Sequence, residues 1–180
     1  EFNDITTLNM VIESIQRAEM VMKVAEEVQK SIYELGIEGR LLKMQLEELT
    51  DGIEKEEKLI IKDYAELKDS EKGLKNIRSL SYEELMKEQT IAKALGITDV
   101  DNYNDATVYT RGYRILSKVP RMPSNIVENI VKKFKSFQIL LSANIEELDE
   151  VDGIGEVRAK TIVQSLKRMQ EQFVFDRLLF

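Results

Sequence analysis

Apolar residues follow one another at intervals of three and four positions through the N-terminal part of this chain. Apolar residues recur at this spacing through residues 8–35 and again through residues 42–64. Such spacing places one apolar stripe along each of two long helices. The segment between them is short and contains Gly36 and Gly39, and two helices joined by a short turn pack antiparallel. The spacing therefore predicts a long antiparallel helical hairpin.

The rest of the chain is predicted to form shorter helices. Residues 68–80 are polar and are expected to form a loop or a broken helix, and the turn-forming residues 98–110 are expected to end a first domain of residues 1–110. In the second domain, residues 111–180, helices are expected at about 111–119, 124–134, 136–142, 145–150 and 156–171. With only 2 prolines and 8 glycines in 180 residues, the expected fold is all-α.

Two pairs of polar residues have the spacing of a capping box, in which a side chain and a backbone amide satisfy each other at a helix start. Ser81 with Glu84 is predicted to begin one helix, and Asn144 with Glu147 is predicted to begin another. Each pair places an acceptor three residues before a glutamate. The helix that begins at Ser81 is predicted to include Leu85, Met86, Ile91, Ala92 and Leu95 and to end at Gly96.

Charge is distributed unevenly along the chain, which has a net charge of −7. Residues 1–110 hold 14 Lys and Arg against 24 Asp and Glu, a net charge of −10, whereas residues 111–180 hold 12 against 9, a net charge of +3. A mildly basic second domain permits phosphate binding without demonstrating it.

Composition also excludes several kinds of site. The chain has no histidine and no cysteine, which excludes histidine-based nucleophile pairs, thiolate nucleophiles and zinc sites built from these residues. No apolar run approaches the roughly 18 residues that a membrane helix needs, so no membrane partner is expected. The absence of cysteine is compatible with a cytoplasmic location.

The segment with the clearest chemistry is Val151-Asp-Gly-Ile-Gly-Glu-Val-Arg-Ala159. Two glycines allow a tight turn and a close approach of the backbone to its surroundings. A helix is predicted to begin right after Gly155, so its first N–H groups and its positive dipole end face an incoming anion. Arg158 and Lys160 add positive charge in the first turns, and Ile154 is expected to anchor the turn in the core. The segment therefore predicts a phosphate-binding turn.

This segment resembles the helix-hairpin-helix family of DNA-binding modules. The resemblance extends upstream, because residues 115–134 align with the first hairpin of tandem domains of this kind and residues 135–148 align with their middle helix. The resemblance implies an all-α fold in which the long hairpin or bundle is followed by a compact tandem helix-hairpin-helix domain. It also implies backbone contacts to DNA that do not read the bases.

The first hairpin departs from the family pattern. Arg121 and Pro123 stand where relatives usually have glycine, and Pro123 has no N–H for a phosphate. This hairpin either binds weakly, with the charge of Arg121 in compensation, or has only a structural role. In the second hairpin, Val157 stands where many relatives have a polar or basic residue, which lowers the expected affinity.

A basic cluster near Lys132 and Lys133 has two interpretations as well. It is either a solvated helix end that the dipole favours or a further phosphate contact. The predicted DNA-binding residues are Gly153, Ile154, Gly155, Glu156, Val157, Arg158, Lys160, Arg121, Met122, Ser124, Lys132 and Lys133.

A closer resemblance follows from the order of the segments. Gly39-Arg-Leu-Leu-Lys-Met-Gln-Leu46 and Glu56-Glu-Lys-Leu-Ile-Ile-Lys-Asp-Tyr64 precede Arg111-Gly-Tyr-Arg-Ile-Leu116 and Val119-Pro-Arg-Met-Pro123. This order is similar to the family of bacterial DNA integrity scanning diadenylate cyclases, over residues 3–171. The resemblance implies a helical spine and a DNA sensor that prefers branched or junction DNA.

The resemblance assigns catalysis elsewhere. In the family, an N-terminal domain with Asp-Gly-Ala and Arg-His-Arg motifs makes cyclic di-AMP from ATP with a divalent metal ion, as an octamer. This sequence contains neither motif, since Asp51-Gly-Ile53 lies in a predicted helix and histidine is absent. No enzyme activity, cofactor or metal is therefore expected in this chain. The alternative is a helical oligomerisation or interaction scaffold whose hairpins are structural.

Overall fold

The fold was analysed in a computed structural model, which describes residues 5–66, 70–98 and 100–178. Over these residues the secondary structure is helical, with one isolated bridge between Thr7 and Thr107. The helices are α1 (Leu8–Glu34), α2 (Arg40–Tyr64), α3 (Ser70–Arg78), α4 (Tyr82–Leu85), α5 (Glu88–Ala94), α6 (Tyr113–Ser117), α7 (Ser124–Phe134), α8 (Phe137–Ser142), α9 (Ile145–Asp149) and α10 (Glu156–Leu178). The prediction of an all-α fold is confirmed.

By its internal contacts the chain forms two compact units. The first comprises residues 5–108, and the second starts at Tyr109. The domains 1–110 and 111–180 stay a prediction, because compactness alone does not show that either part folds on its own. None of the helices in the described part of the chain combines the length and the hydrophobicity that crossing a bilayer requires.

The first unit is built on the antiparallel pair α1 and α2. Helices α4 and α5 pack against α1, and α3 packs against α2 and α5, so the short helices surround one end of the pair. Their common core is apolar and includes fully buried Ile12, Ile15, Ile61, Ile77 and Ile91. Since isolated helices gain most of their stability from such packing, this end holds the unit together.

At the other end of the α1–α2 pair, few residues of other helices pack against the two long helices. Many of its apolar residues remain exposed, and Leu49, for example, keeps 72% of its surface accessible. The exposed large apolar residues between positions 21 and 49 are Val21, Val24, Val28, Tyr33, Leu35, Ile37, Leu41, Leu42, Met44 and Leu49. The sequence spacing correctly predicts the helices, but it does not predict that this half of their apolar stripe stays open.

A short helix replaces the loop or broken helix expected over residues 68–80. Residues 70–78 form α3, with Leu74 and Ile77 buried against the core of the first unit. Two apolar side chains three residues apart lie on one helix face, and their burial outweighs the helix-weakening effect of Gly73. The expectation of a loop was wrong for this segment.

The first unit also buries acidic side chains. Glu19 of α1 and Glu57 of α2 are 2% and 0% exposed, and Asp63 is buried too. Arg78 of α3 lies close by: its Nε is 3.9 Å from a carboxyl oxygen of Glu19, and its guanidinium donates to Glu54 at 2.8 Å. This arrangement places one cation beside several carboxyl groups.

The buried position changes the acidity of these groups. Burial, together with the nearby negative charge of Glu19, raises the pKa of Glu57 to about 8. The hydrogen bonds from Arg78 and Lys58 lower the pKa of Glu54 to about 2. A carboxyl group removed from water favours its neutral form, whereas one beside a cation favours its charged form. Glu57 is therefore protonated at neutral pH and Glu54 is ionised.

The second unit contains two helical hairpins. Helix α6 packs on α7, α8 packs on α7, and α9 packs on α10. Their core is apolar and includes fully buried Leu116, Ile130, Leu140, Leu148 and Ile162. The capping boxes predicted at Ser81 with Glu84 and at Asn144 with Glu147 are both present, so these two predictions are confirmed.

Candidate nucleic-acid interface

The turn of the second hairpin connects α9 to α10 and depends on Gly153. This residue has φ +81°, and a Cβ atom added there would lie 2.5 Å from Cδ1 of Ile126 on α7. Residues that have a side chain rarely adopt such a φ. The turn is also fixed by the side-chain amide of Asn129, which donates to the Asp152 carbonyl at 3.1 Å. Gly153 therefore allows the second hairpin to pack directly on the first.

Gly155 has a different environment. A Cβ atom at this position would meet no atom within 4 Å, and φ does not lie in the left-handed region. The first intrahelical bond of α10 runs from the Ala159 amide to the Gly155 carbonyl, at 3.0 Å. The amides of Glu156, Val157 and Arg158 therefore precede the helical hydrogen-bond ladder. The open space at the Cβ position of Gly155 lies directly before these amides in the chain.

The apolar residues of the motif anchor the turn in the core of the second unit. Ile154 is 7% exposed, and Ala159 is fully buried where α10 packs. The Ile154 amide donates to the Val151 carbonyl at 2.9 Å. Both the side chain and the amide of Ile154 are thus engaged within the chain, as the expected anchoring role requires.

Charged side chains frame the same turn. The Arg158 guanidinium donates to the Gly153 carbonyl at 2.5 Å, which holds it beside the hairpin. Lys160 pairs with Glu156 at 2.5 Å, and this hydrogen bond lowers the pKa of Glu156. Because Glu156 and Lys160 neutralise each other, Arg158 supplies the main positive charge of the turn.

The first hairpin joins α6 to α7 in a different way. Arg121 adopts the left-handed conformation with φ +58°, although it is not a glycine. Pro123 precedes α7 and has no N–H, and its carbonyl accepts the amides of Ile126 and Val127 at 3.1 Å each. Met122 is half-buried against the core, and Ser124 is exposed at the helix start.

Residues from both hairpins line one groove of about 420 Å³. Predicted site residues in this groove are Arg121, Gly155, Glu156, Val157 and Arg158. Val157 is 82% exposed, so its isopropyl group lies at the surface. The groove also includes Pro120 and Thr161, which the sequence analysis missed. Thr161 lies one helical turn after Val157, and this spacing was the available signal.

The lysines at the end of α7 lie outside this set. Lys133 donates to the Glu147 carbonyl at 2.9 Å and to a carboxyl oxygen of Glu150 at 2.8 Å, and the pKa of Glu150 falls as a result. Lys132 is exposed. Lys133 therefore connects α7 to the segment around α9.

The two packed hairpins of the second unit form a tandem helix-hairpin-helix domain, and this domain defines the class of protein. Residues 113–168 match the family described as "SAM-like Helix-hairpin-helix tandem". Residues 1–103 match the family described as "DisA bacterial checkpoint controller linker region". The match to the DisA linker family covers more than half of the chain, so the chain belongs to the DisA family. The resemblance predicted from the sequence is therefore confirmed.

Curated relatives agree with this assignment. The chain is 48% identical over 178 residues to the DNA integrity scanning protein DisA of Acetivibrio thermocellus, which covers 98% of this chain and 49% of that protein. It is 46% identical over 178 residues to DisA of Clostridium botulinum strain Eklund 17B, covering 98% and 50%. It is 47% identical over 175 residues to DisA of Carboxydothermus hydrogenoformans, covering 96% and 50%.

The chain therefore spans about half the length of the curated relatives that it matches. The matched part consists of the linker and the helix-hairpin-helix tandem, which is the C-terminal, non-catalytic half of the family. In the described residues, no group of three or more carboxylates could hold a metal ion.

Proposed function

We propose that this chain is the DNA-binding sensor part of a DNA integrity scanning diadenylate cyclase. The second hairpin binds the sugar-phosphate backbone through the amides of Glu156, Val157 and Arg158 and through the Arg158 guanidinium. The observation that carries the proposal is the open space beside Gly155, where an added Cβ would have no atom within 4 Å apart from the adjoining residues. A phosphate can approach these amides closely, as at other helix N-termini.

Binding through backbone amides and one arginine does not depend on base sequence. Specificity for branched or junction DNA would come from the spacing of phosphates at a branch point. In such a cyclase, the N-terminal catalytic domain of the family would convert ATP into cyclic di-AMP with a divalent metal ion, in a cytoplasmic octamer. The first unit would then carry the state of the DNA sensor to that domain.

The test is a titration of the whole chain against fluorescent four-way-junction DNA and a matched duplex. Two to four phosphate contacts predict that affinity falls about 10- to 100-fold between about 50 and 200 mM salt. Arg158→Glu is expected to remove most of the binding, because it places a negative charge beside the phosphates.

The matched control is Arg168→Glu, which makes the same charge change at an exposed position farther along α10. It should change affinity by less than about threefold. Equal losses in both variants would indicate a general charge effect and would count against a site at the hairpin.

A second candidate function is an interaction scaffold, which the exposed apolar residues between positions 21 and 49 favour. A folded chain that binds neither DNA and shows no effect of Arg158→Glu would support the scaffold over the sensor.

A further inference from the structure

A pair of buried carboxyl groups joins the two long helices of the first unit. Glu19 of α1 and Glu57 of α2 are 2% and 0% exposed, and their side chains lie within hydrogen-bonding distance of each other. Within the described residues, no N–H or O–H group donates to Oε1 of Glu19 or to either carboxyl oxygen of Glu57. Buried oxygen atoms without a donor cost free energy, so this contact needs a hydrogen that the surrounding groups do not supply.

A proton on one of the two carboxyl groups supplies that hydrogen. Two carboxylates can only accept hydrogen bonds, whereas a protonated carboxyl group donates one. Burial and the neighbouring charge of Glu19 raise the pKa of Glu57 to about 8, so one proton stays with the pair at neutral pH. The bond between a carboxyl group and a carboxylate is charge-assisted and strong, and the two groups titrate together. The proton therefore links α1 to α2.

The negative charge of the pair is offset by one cation from α3. The Nε atom of Arg78 is 3.9 Å from Oε1 of Glu19, while its guanidinium donates to Glu54 of α2 at 2.8 Å. Glu54 also pairs with Lys58 at 2.8 Å. Helices α4 and α5, which pack on α1, add no buried charge, because their charged residues are all exposed: Glu83, Glu84, Glu88 and Lys93. Arg78 can therefore offset one negative charge of the pair but not two.

Helix α3 is the element beside the pair that can move at the lowest cost. It has 9 residues, includes Gly73 and buries two large apolar side chains, Leu74 and Ile77. The helices that carry the carboxyl groups have 27 and 25 residues. Two adjacent buried carboxylates repel each other and require water or a cation. Loss of the proton is therefore expected to shift α3, so that Arg78 or water reaches the second charge.

We propose that Glu19 and Glu57 share one proton between α1 and α2, and that release of this proton above neutral pH loosens α3 from the first unit. The pair is thus a pH-sensitive latch at the end of the first unit where the short helices pack. While the proton is present, α3 stays packed on the long helices, and once it leaves, α3 moves. The inference concerns the first unit and does not depend on DNA binding by the second.

The test follows the carboxyl group and the helix in one sample of the whole chain by NMR. Glutamate labelled with ¹³C at the side-chain carboxyl reports the ionisation of Glu57, and labelled methyl groups of Leu74 and Ile77 report the packing of α3. The Glu57 signal should titrate with a midpoint at about 8, and the methyl signals of α3 should shift with the same midpoint. Methyl signals of Leu140 and Leu148, in the core of the second unit, are the internal control and should stay fixed.

Two variants of matched shape separate a shared proton from burial alone. Glu19→Gln removes the neighbouring charge, so the Glu57 midpoint should fall by about one pH unit. Glu57→Gln identifies the Glu57 signal by its loss, and its amide donates to Glu19 at every pH. In that variant the methyl signals of Leu74 and Ile77 should therefore no longer depend on pH. Glu48→Gln, at an exposed position of α2, is the control and should titrate like the wild type.

The proposal is overturned by any of three results. A Glu57 signal that titrates near its ordinary value of 4.5 would mean that the pair holds no proton at neutral pH. An unchanged Glu57 midpoint in Glu19→Gln would assign the raised pKa to burial alone and exclude a shared proton. Methyl signals of α3 that stay fixed while Glu57 titrates would show that the proton does not hold this helix.

Discussion

The two units place their charged groups in opposite ways. The first unit buries Glu19, Glu57 and Asp63, whereas every buried residue of the second unit, among those described, is apolar or glycine. The second unit instead places Arg121 and Arg158 beside an open groove. Buried charge costs free energy unless it is neutralised or paired. The first unit should therefore be sensitive to pH, and the second, under the proposed function, should respond to the phosphates of DNA.

Gly153→Ala is expected to destabilise the second unit strongly and to leave the first unit folded. Gly153→Ala places a side chain in the left-handed region and against Ile126. The strain and the overpacking together should lower the free energy of unfolding of the second unit by about 3 kcal/mol. Hydrogen exchange should show lost protection in residues 109–178 and retained protection in residues 5–108.

The control for that variant is Gly155→Ala, two residues away, where an added Cβ meets open space. If both alanine variants reduced protection equally, the close contact between Gly153 and Ile126 would not be the cause.

A second prediction concerns the buried carboxyl group of the first unit. Glu57→Gln keeps the shape of the side chain but cannot ionise. Because the pKa of Glu57 is raised to about 8, the wild-type chain ionises this group at a cost as pH rises. The variant should therefore be more stable at about pH 8 by on the order of 2 kcal/mol, measured by urea unfolding. Glu48→Gln, at an exposed site of α2, is the control.

The pH dependence has two windows with opposite signs. Glu57 binds its proton more tightly in the folded chain, so the stability from this group is full below pH 4.5 and is lost as pH rises towards about 8. Glu54 has its pKa lowered to about 2, so its contribution is present above pH 4.5 and is lost as pH falls. These two groups favour a stability maximum of the first unit in mildly acidic solution. A flat profile between pH 5 and 8 in the wild type would argue against a buried neutral Glu57.

A smaller effect is expected from Gly155→Ala on ligand binding. The added methyl group occupies the space beside the amides of α10 and keeps a phosphate at a distance. Affinity for junction DNA should fall about tenfold, or about 1.4 kcal/mol, while the free energy of unfolding stays within about 0.5 kcal/mol. Fluorescence titration and urea unfolding measure the two quantities. Unchanged affinity would mean that phosphates do not reach this turn.

A last and smaller effect is expected from a positive charge added to the groove. Val157 is exposed there, and Val157→Lys should add about one phosphate contact. Affinity should rise about threefold and become more dependent on salt. Val157→Thr keeps the branched shape without the charge and should match the wild type. A rise in affinity for the threonine variant as well would point to polarity and not to charge.

Much of this structure follows from local patterns in the sequence. The three-four spacing predicts the two long helices, and the glycine motif with its flanking apolar residues predicts the second hairpin. Asn144 and Glu147 identify the start of α9. These signals succeed because each acts within one or two helical turns.

Other features depend on contacts that no local pattern contains. Helix α3 forms because Leu74 and Ile77 are buried by other helices, although its own sequence is polar. The groove that brings Arg121 to Arg158 depends on how two hairpins pack. The burial of Glu57 could not be predicted from the sequence either, because glutamate side chains on helices are usually exposed. Tertiary packing decides these cases.

The two glycines of the second turn respond to different kinds of evolutionary selection. Gly153 is required by the protein itself, whereas a Cβ at Gly155 would meet open space, so under the proposed function only the ligand selects for glycine there. In a lineage that lost its ligand, drift would replace residue 155 while residue 153 persisted. The residue found at position 155 in each descendant therefore indicates whether this turn still binds.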